Sequence, residues 1–73
     1  MKYMKRFWDN PDWKEVNYEG ALHTLLGTFK DTEWTRSLLT IGNYIPCRFS
    51  EIRVYDDEGN TAGRGEEFLT PDR

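Results

Sequence analysis

The chain has 73 residues, enough for one domain, and a domain of this size buries only about 60% of the surface its unfolded chain exposes. Its net charge of −3 argues against bulk, sequence-independent binding to nucleic acid, which calls for a clearly basic domain. A single cysteine, Cys47, makes neither an intrachain disulfide nor a zinc cluster, and no apolar run approaches the roughly 18 residues a membrane-spanning helix needs.

Residues 1–8, MKYMKRFW, alternate as a short strand would. Tyr3, Lys5 and Phe7 face one way, and Met4, Arg6 and Trp8 the other. A flexible arm is the alternative reading, and no apolar h-region marks a signal peptide. Residues 9–12, DNPD, form a turn, because Pro11 fixes its own φ and pushes Asn10 out of the helical region. Residues 13–16 lead into the one long segment with helical periodicity, residues 17–31.

In that segment Tyr18, Ala21, Leu22, Leu25, Leu26 and Phe29 fall on one stripe of an α-helix. Asn17 suits the N-cap, Val16 stands where a staple against Ala21 is expected, and Glu19 complements the helix dipole. Gly20 and Gly27 each weaken the helix, which is expected to stop at Leu26 with Gly27 as a left-handed cap. Leu22, Leu25, Leu26 and Phe29 are the expected core.

Residues 34–41, WTRSLLTI, fit either a strand or a short helix, and the strand is the preferred reading. Gly42-Asn43 would then be a hairpin turn into a strand region over residues 44–55. There Ile45, Cys47 and Phe49 share one phase, while Ile52 and Val54 take the other. The slip predicts a β-bulge near Ser50-Glu51. Pro46 removes a donor and marks the strand as an edge. Residues 56–60, DDEGN, are a hairpin tip in which Gly59 or Asn60 takes positive φ. Residues 61–69 would return raggedly, given Gly63 and Gly65, and residues 70–73 are a tail. The fold class is α+β, one helix packed on a small antiparallel sheet. It is a single domain over residues 1–73, with mobility expected at residues 1–8 and 61–73.

No catalytic constellation is spaced in this chain, so no enzyme, cofactor or metal is expected. His23 lacks a paired nucleophile. Asp56, Asp57 and Glu58 lack the ligand pattern of a calcium loop, and Gly63-Arg64-Gly65 lacks the context of a phosphate loop. Cys47 reads as a small buried hydrophobe in a reduced compartment. Two features stand out. Lys2, Lys5 and Arg6 interleave with Tyr3, Phe7 and Trp8, a mixture that suits RNA backbone or an acidic protein surface. Arg48 and Arg53 flank the expected bulge on a strand that Pro46 marks as an edge, and edge strands dock other chains. The partner-binding candidates are therefore Lys2, Lys5, Arg6, Phe7, Trp8, Arg48 and Arg53.

The N-terminal MKYMKRFWDNPDW, the single helix and the closing EIRVYDDEGN and EEFLTPDR segments together resemble a family of small lytic-bacteriophage proteins that bind host RNA polymerase. The resemblance implies a transcription inhibitor that is also an antiterminator. The implied partner is bacterial RNA polymerase, at the N-terminus of its beta-prime subunit and close to the RNA exit channel. There it would impair promoter recognition by the sigma-containing enzyme and suppress pausing and termination, with nascent RNA nearby. It implies a monomer acting in the host bacterial cytoplasm, with no membrane partner. The alternative is another phage host-takeover or antidefence module that binds a protein without catalysis.

Overall fold

The computed structural model describes residues 1–61. Its elements run β1 (Lys2–Phe7), β2 (Lys14–Val16), α1 (Tyr18–Leu26), α2 (Glu33–Ser37), β3 (Asn43–Pro46) and β4 (Ser50–Tyr55). The four strands form one antiparallel sheet in the order β2-β1-β4-β3. The fold is thus a small α+β domain with one substantial helix against the sheet.

Register divides the sheet into two faces. Tyr3 pairs with Val16 and Val54, and Ile45 pairs with Ile52. Side chains alternate along a strand, so these residues share the face beneath α1. They meet Ala21, Leu25 and Leu39 in the core. Lys2, Met4, Arg6, Glu15, Tyr44, Glu51, Arg53 and Tyr55 belong to the other face.

Helix α1 starts as its sequence predicts. Asn17 is the N-cap, its Oδ1 accepting from Gly20 N at 2.8 Å. The helix ends at Leu26, but Gly27 is right-handed (φ −73°) rather than left-handed. Leu25 O accepts from both Thr28 N and Phe29 N there, so the helix tightens into a turn without a left-handed residue. The apolar stripe is only partly core. Ala21 and Leu25 are fully buried, Leu22 and Phe29 lie at the margin, and Leu26 is 37% exposed. At roughly 100° per residue, Leu26 stands on the flank of a stripe whose centre runs through Ala21 and Leu25, and the narrow sheet covers only that centre.

The strand expected over residues 34–41 is instead α2 followed by turns. Thr32 caps α2 by accepting from Thr35 N at 3.2 Å, and Asp31 holds Arg36 through two bonds of 2.8 and 2.9 Å. The buried positions there are Thr35 and Leu39, with Leu38 partly covered, while Trp34 and Ile41 are exposed. That spacing is helical. Gly42-Asn43 consequently leads into β3 and joins no hairpin.

The expected bulge is also replaced. Cys47 N donates to Ser50 O at 2.7 Å, closing a two-residue loop, Arg48-Phe49, between β3 and β4. Such a loop makes cross-strand partners differ by an odd number. The face beneath the helix is therefore carried by odd positions in β3 and even positions in β4, and this is the phase slip visible in the sequence. Pro46 does lie on an edge strand, β3, but Arg53 lies on β4, between β1 and β3. The N-terminal segment left open between strand and arm is β1, paired on both sides. Residues 14–16, read as a lead-in, are the edge strand β2. The tip after β4 turns through Gly59 (φ +84°), with Asp56 Oδ1 accepting from Glu58 N and Asn60 N. The expected return strand falls almost wholly outside the described residues.

Candidate docking edge and the buried network behind it

The end of the sheet where β1 finishes is stitched to the β3–β4 turn. Trp8 N donates to Phe49 O at 3.1 Å, and the Trp8 indole Nε1 donates to Cys47 O at 2.9 Å. The turn is fixed from the helix side as well, by Arg48 N donating to Thr28 Oγ1 at 2.8 Å. These bonds bring Phe7, Trp8 and Phe49 to one end of the molecule. All three rings keep a face to solvent: Phe7 is 46% exposed, Trp8 44% and Phe49 69%.

Each exposed ring has a cation beside it. Lys5 Nζ lies 4.5 Å from the Phe7 centroid, the Arg48 guanidinium 5.4 Å from that of Phe49, and the Arg6 guanidinium 5.9 Å from that of Trp8. These distances allow cation–π attraction. Phe7, Trp8, Asp9, Arg48 and Phe49 line a shallow groove of about 470 Å³.

The cluster Lys2, Lys5 and Arg6 is split by the pleat. Lys5 lies on the helix face near Phe7. Lys2 stands at the far end of β1 on the other face, in a separate groove with Met1, Met4, Tyr55 and Asp57. Arg6 points into a buried polar network. Its Nε donates to Glu51 Oε2 at 2.6 Å, its Nη2 also pairs with that oxygen, and its Nη1 donates to Asn10 O at 2.7 Å. Glu51 is 0% exposed. Its second oxygen accepts from the Tyr44 hydroxyl at 2.8 Å. Burial, and then the hydrogen bond to Glu51, hold the Tyr44 phenol well above its ordinary pKa. Trp13, from the turn that Asn10 and Pro11 shape, is close to both Arg6 (5.7 Å) and Arg53 (5.1 Å). On the helix-free face Arg6 and Tyr44 thus hold the buried carboxylate, with Trp13 beside Arg6. Charges buried in this way require pairing, so Arg6 is a structural partner as well as a neighbour of Trp8, and its removal is not neutral to the fold. Arg53 belongs to this same face, where its Nη1 donates to the Tyr55 hydroxyl at 3.3 Å.

Of the seven sequence candidates, the structure therefore gathers Lys5, Phe7, Trp8 and Arg48 at one edge. It places Arg6 and Arg53 in the network behind that edge, and Lys2 away from it. Sequence reading missed Phe49, which was assigned to the inward phase with Ile45 and Cys47. It also missed Trp13, Tyr44 and Glu51. A Glu between the buried Ile52 and Ser50 carried a signal only once the strand's second face was known to be covered. Cys47 is buried, and burial pushes its thiol up to about 11, which makes it a poor nucleophile near neutrality. His23 is exposed on α1.

The chain matches no protein-family profile, no characterised protein and no solved structure.

Proposed function

We propose that this chain is a non-catalytic docking module that binds host bacterial RNA polymerase at the N-terminus of the beta-prime subunit, beside the RNA exit channel. It acts as a monomer in the host cytoplasm, impairing promoter-dependent initiation and suppressing termination. The identity of the partner rests on the sequence resemblance. The observation that supports a docking role is the edge formed by Phe7, Trp8 and Phe49, three exposed rings at one end of a small domain, each beside a cation. Contiguous exposed apolar surface marks interaction sites, and aromatic and arginine side chains dominate binding energy at interfaces. A domain that spends three large rings in this way gains by covering them with a partner.

The test uses purified components. The tagged protein is mixed with bacterial core polymerase and holoenzyme, and co-migration is followed together with read-through at an intrinsic terminator. Stoichiometric co-migration with increased read-through is expected. Absence of both with a folded protein removes polymerase as the partner.

A further inference from the structure

Beside the docking edge lies a notch of about 170 Å³ between the C-terminal end of α1 and the β3–β4 turn. Its walls include Phe7, Phe49, Cys47 and Gly27, and Lys5 and His23 also line it. We infer that this notch is an anchor pocket for a single phenyl or branched aliphatic side chain carried on an acidic segment of a protein partner. The inference rests on reading this end of the molecule as the docking edge, and it names what the edge takes hold of.

Size supports one side chain: a volume of about 150 Å³ accommodates benzene, and here Phe7, Phe49 and Cys47 give apolar wall while Thr24, Thr28 and Ser50 stand among the polar lining of a half-open notch. The notch is held open by bonds already described. Thr28 Oγ1 fixes the turn from the helix side, and Trp8 Nε1 fixes it from β1. An anchor residue therefore meets a formed site and little ordering is required.

Charge supports an acidic carrier. The chain holds 13 Asp and Glu against 10 Lys and Arg, yet among the described residues the charged side chain that lines the notch is Lys5 and none is a carboxylate. Lys5 stands in its wall and Arg48 on the adjoining turn, each with its charge held over an exposed ring. On an acidic body, this cationic mouth attracts acidic partners and disfavours basic ones.

Gly27 supplies an independent argument. A glycine at a helix end usually provides a left-handed cap, but Gly27 is right-handed. Nor is it required by crowding. Among the described residues, a Cβ built there meets Thr24 O alone, at 3.4 Å, which is ordinary contact. Gly27 lines the notch, so a long side chain there would narrow it, and close approach of a backbone to a ligand is an established use of glycine.

The test titrates the isotope-labelled protein with short probes while the amides of Gly27, Thr28 and Phe49 are followed by NMR. One pentapeptide carries a central Phe flanked by Glu. A second replaces that Phe with Ala, a third flanks Phe with Lys, and the fourth probe is a short oligouridylate. Saturable shifts at these amides are expected with the Glu-flanked Phe peptide, weakened by added salt. The Ala and Lys-flanked peptides should leave them unmoved. Gly27→Leu, whose backbone tolerates a side chain, should keep the fold and lose the shifts. Phe49→Ala, which alters an exposed ring, should weaken them as a second variant. No saturable shift with the Glu-flanked Phe peptide, equal shifts with the Ala or Lys-flanked peptide, retained shifts in folded Gly27→Leu, or a response to oligouridylate alone would overturn the pocket. Failure of polymerase to bind beside a positive peptide titration would instead remove the partner and leave the pocket standing.

Discussion

Replacing Arg6 by Met removes the cation that neutralises a fully buried carboxylate. Glu51 would keep only the Tyr44 hydroxyl, at 2.8 Å, and would lose the 2.6 Å bond from Arg6 Nε and its ion pair. Breaking a buried pair from one side costs about 3–5 kcal/mol, because a charge is left without compensation in a poorly solvated site. At roughly 0.05–0.15 kcal/mol per residue, a domain of this length has a total stability on the order of 4–11 kcal/mol. Arg6→Met should therefore forfeit about a quarter or more of it. The reverse change should be milder. Glu51→Gln keeps an acceptor for Tyr44 and leaves behind Arg6, whose side chain retains 24% exposure and can turn toward water. The double variant Arg6→Met/Glu51→Gln should recover much of what Arg6→Met loses, since the buried carboxylate is then gone together with its cation. Urea unfolding of the wild type and the three variants closes a double-mutant cycle. An Arg6→Met midpoint equivalent to a loss below about 1 kcal/mol, the size expected of an exposed pair, would refute the burial argument. So would a double variant no more stable than Arg6→Met.

Leu25→Ala should cost about 2–5 kcal/mol, whereas Leu26→Ala should cost clearly less, on the order of 1 kcal/mol, because Leu26 is 37% exposed at the flank of the stripe while Leu25 is fully buried; denaturant midpoints of the two variants compare them directly. Cys47 should react slowly with a thiol reagent at pH 8 in the native protein and rapidly once unfolded. Its thiol is raised by burial from 9.0 to about 11, so the native state holds the proton more tightly than the unfolded state, and this contribution to stability is complete below pH 9 and falls as pH rises toward 11. Denaturant titrations across that range check the sign, with Cys47→Ala as the variant that lacks this contribution. Gly59→Ala should destabilise by about 1–2 kcal/mol, the cost of a left-handed residue with a Cβ, since Gly59 sits at φ +84°; a thermal midpoint equal to that of the wild type would show that the turn relaxes.

What was legible in the sequence depended on whether local pattern and tertiary contact agreed. Asn17 and the apolar spacing after it fixed the start and length of α1, because the cap and the stripe act within one helix. The alternation of residues 1–8 marked β1 for the same reason. Residues 34–41 misled because Leu38, Leu39 and Ile41 satisfy either period. The decision came from Thr32 and Asp31, short polar residues whose bonds to Thr35 and Arg36 nucleate a turn. The phase slip between Cys47 and Ile52 was visible but ambiguous, since a two-residue hairpin and a bulge both shift parity. The candidate docking edge was half legible. Basic and aromatic residues stood together in residues 5–8, but Phe49 joins them only through the hairpin and the Trp8 bonds to Cys47 and Phe49. Glu51 was not legible as a buried acid, because its neutralising partner lies 45 residues away.

The most direct test of the docking edge compares the binding of purified bacterial RNA polymerase by three proteins under one set of conditions. These are the wild type, the variant Arg48→Ala/Phe49→Ala, and the control Ile41→Ser. Arg48, Phe49 and Ile41 are all exposed, so folds should be preserved, and circular dichroism verifies this. Ile41 precedes the start of β3, at the opposite end of that strand from the Arg48-Phe49 turn. The Arg48→Ala/Phe49→Ala protein should bind at least about tenfold more weakly, corresponding to about 1.4 kcal/mol, while Ile41→Ser should bind as the wild type does. Unchanged binding by the double variant, or a loss confined to Ile41→Ser, would contradict the docking edge.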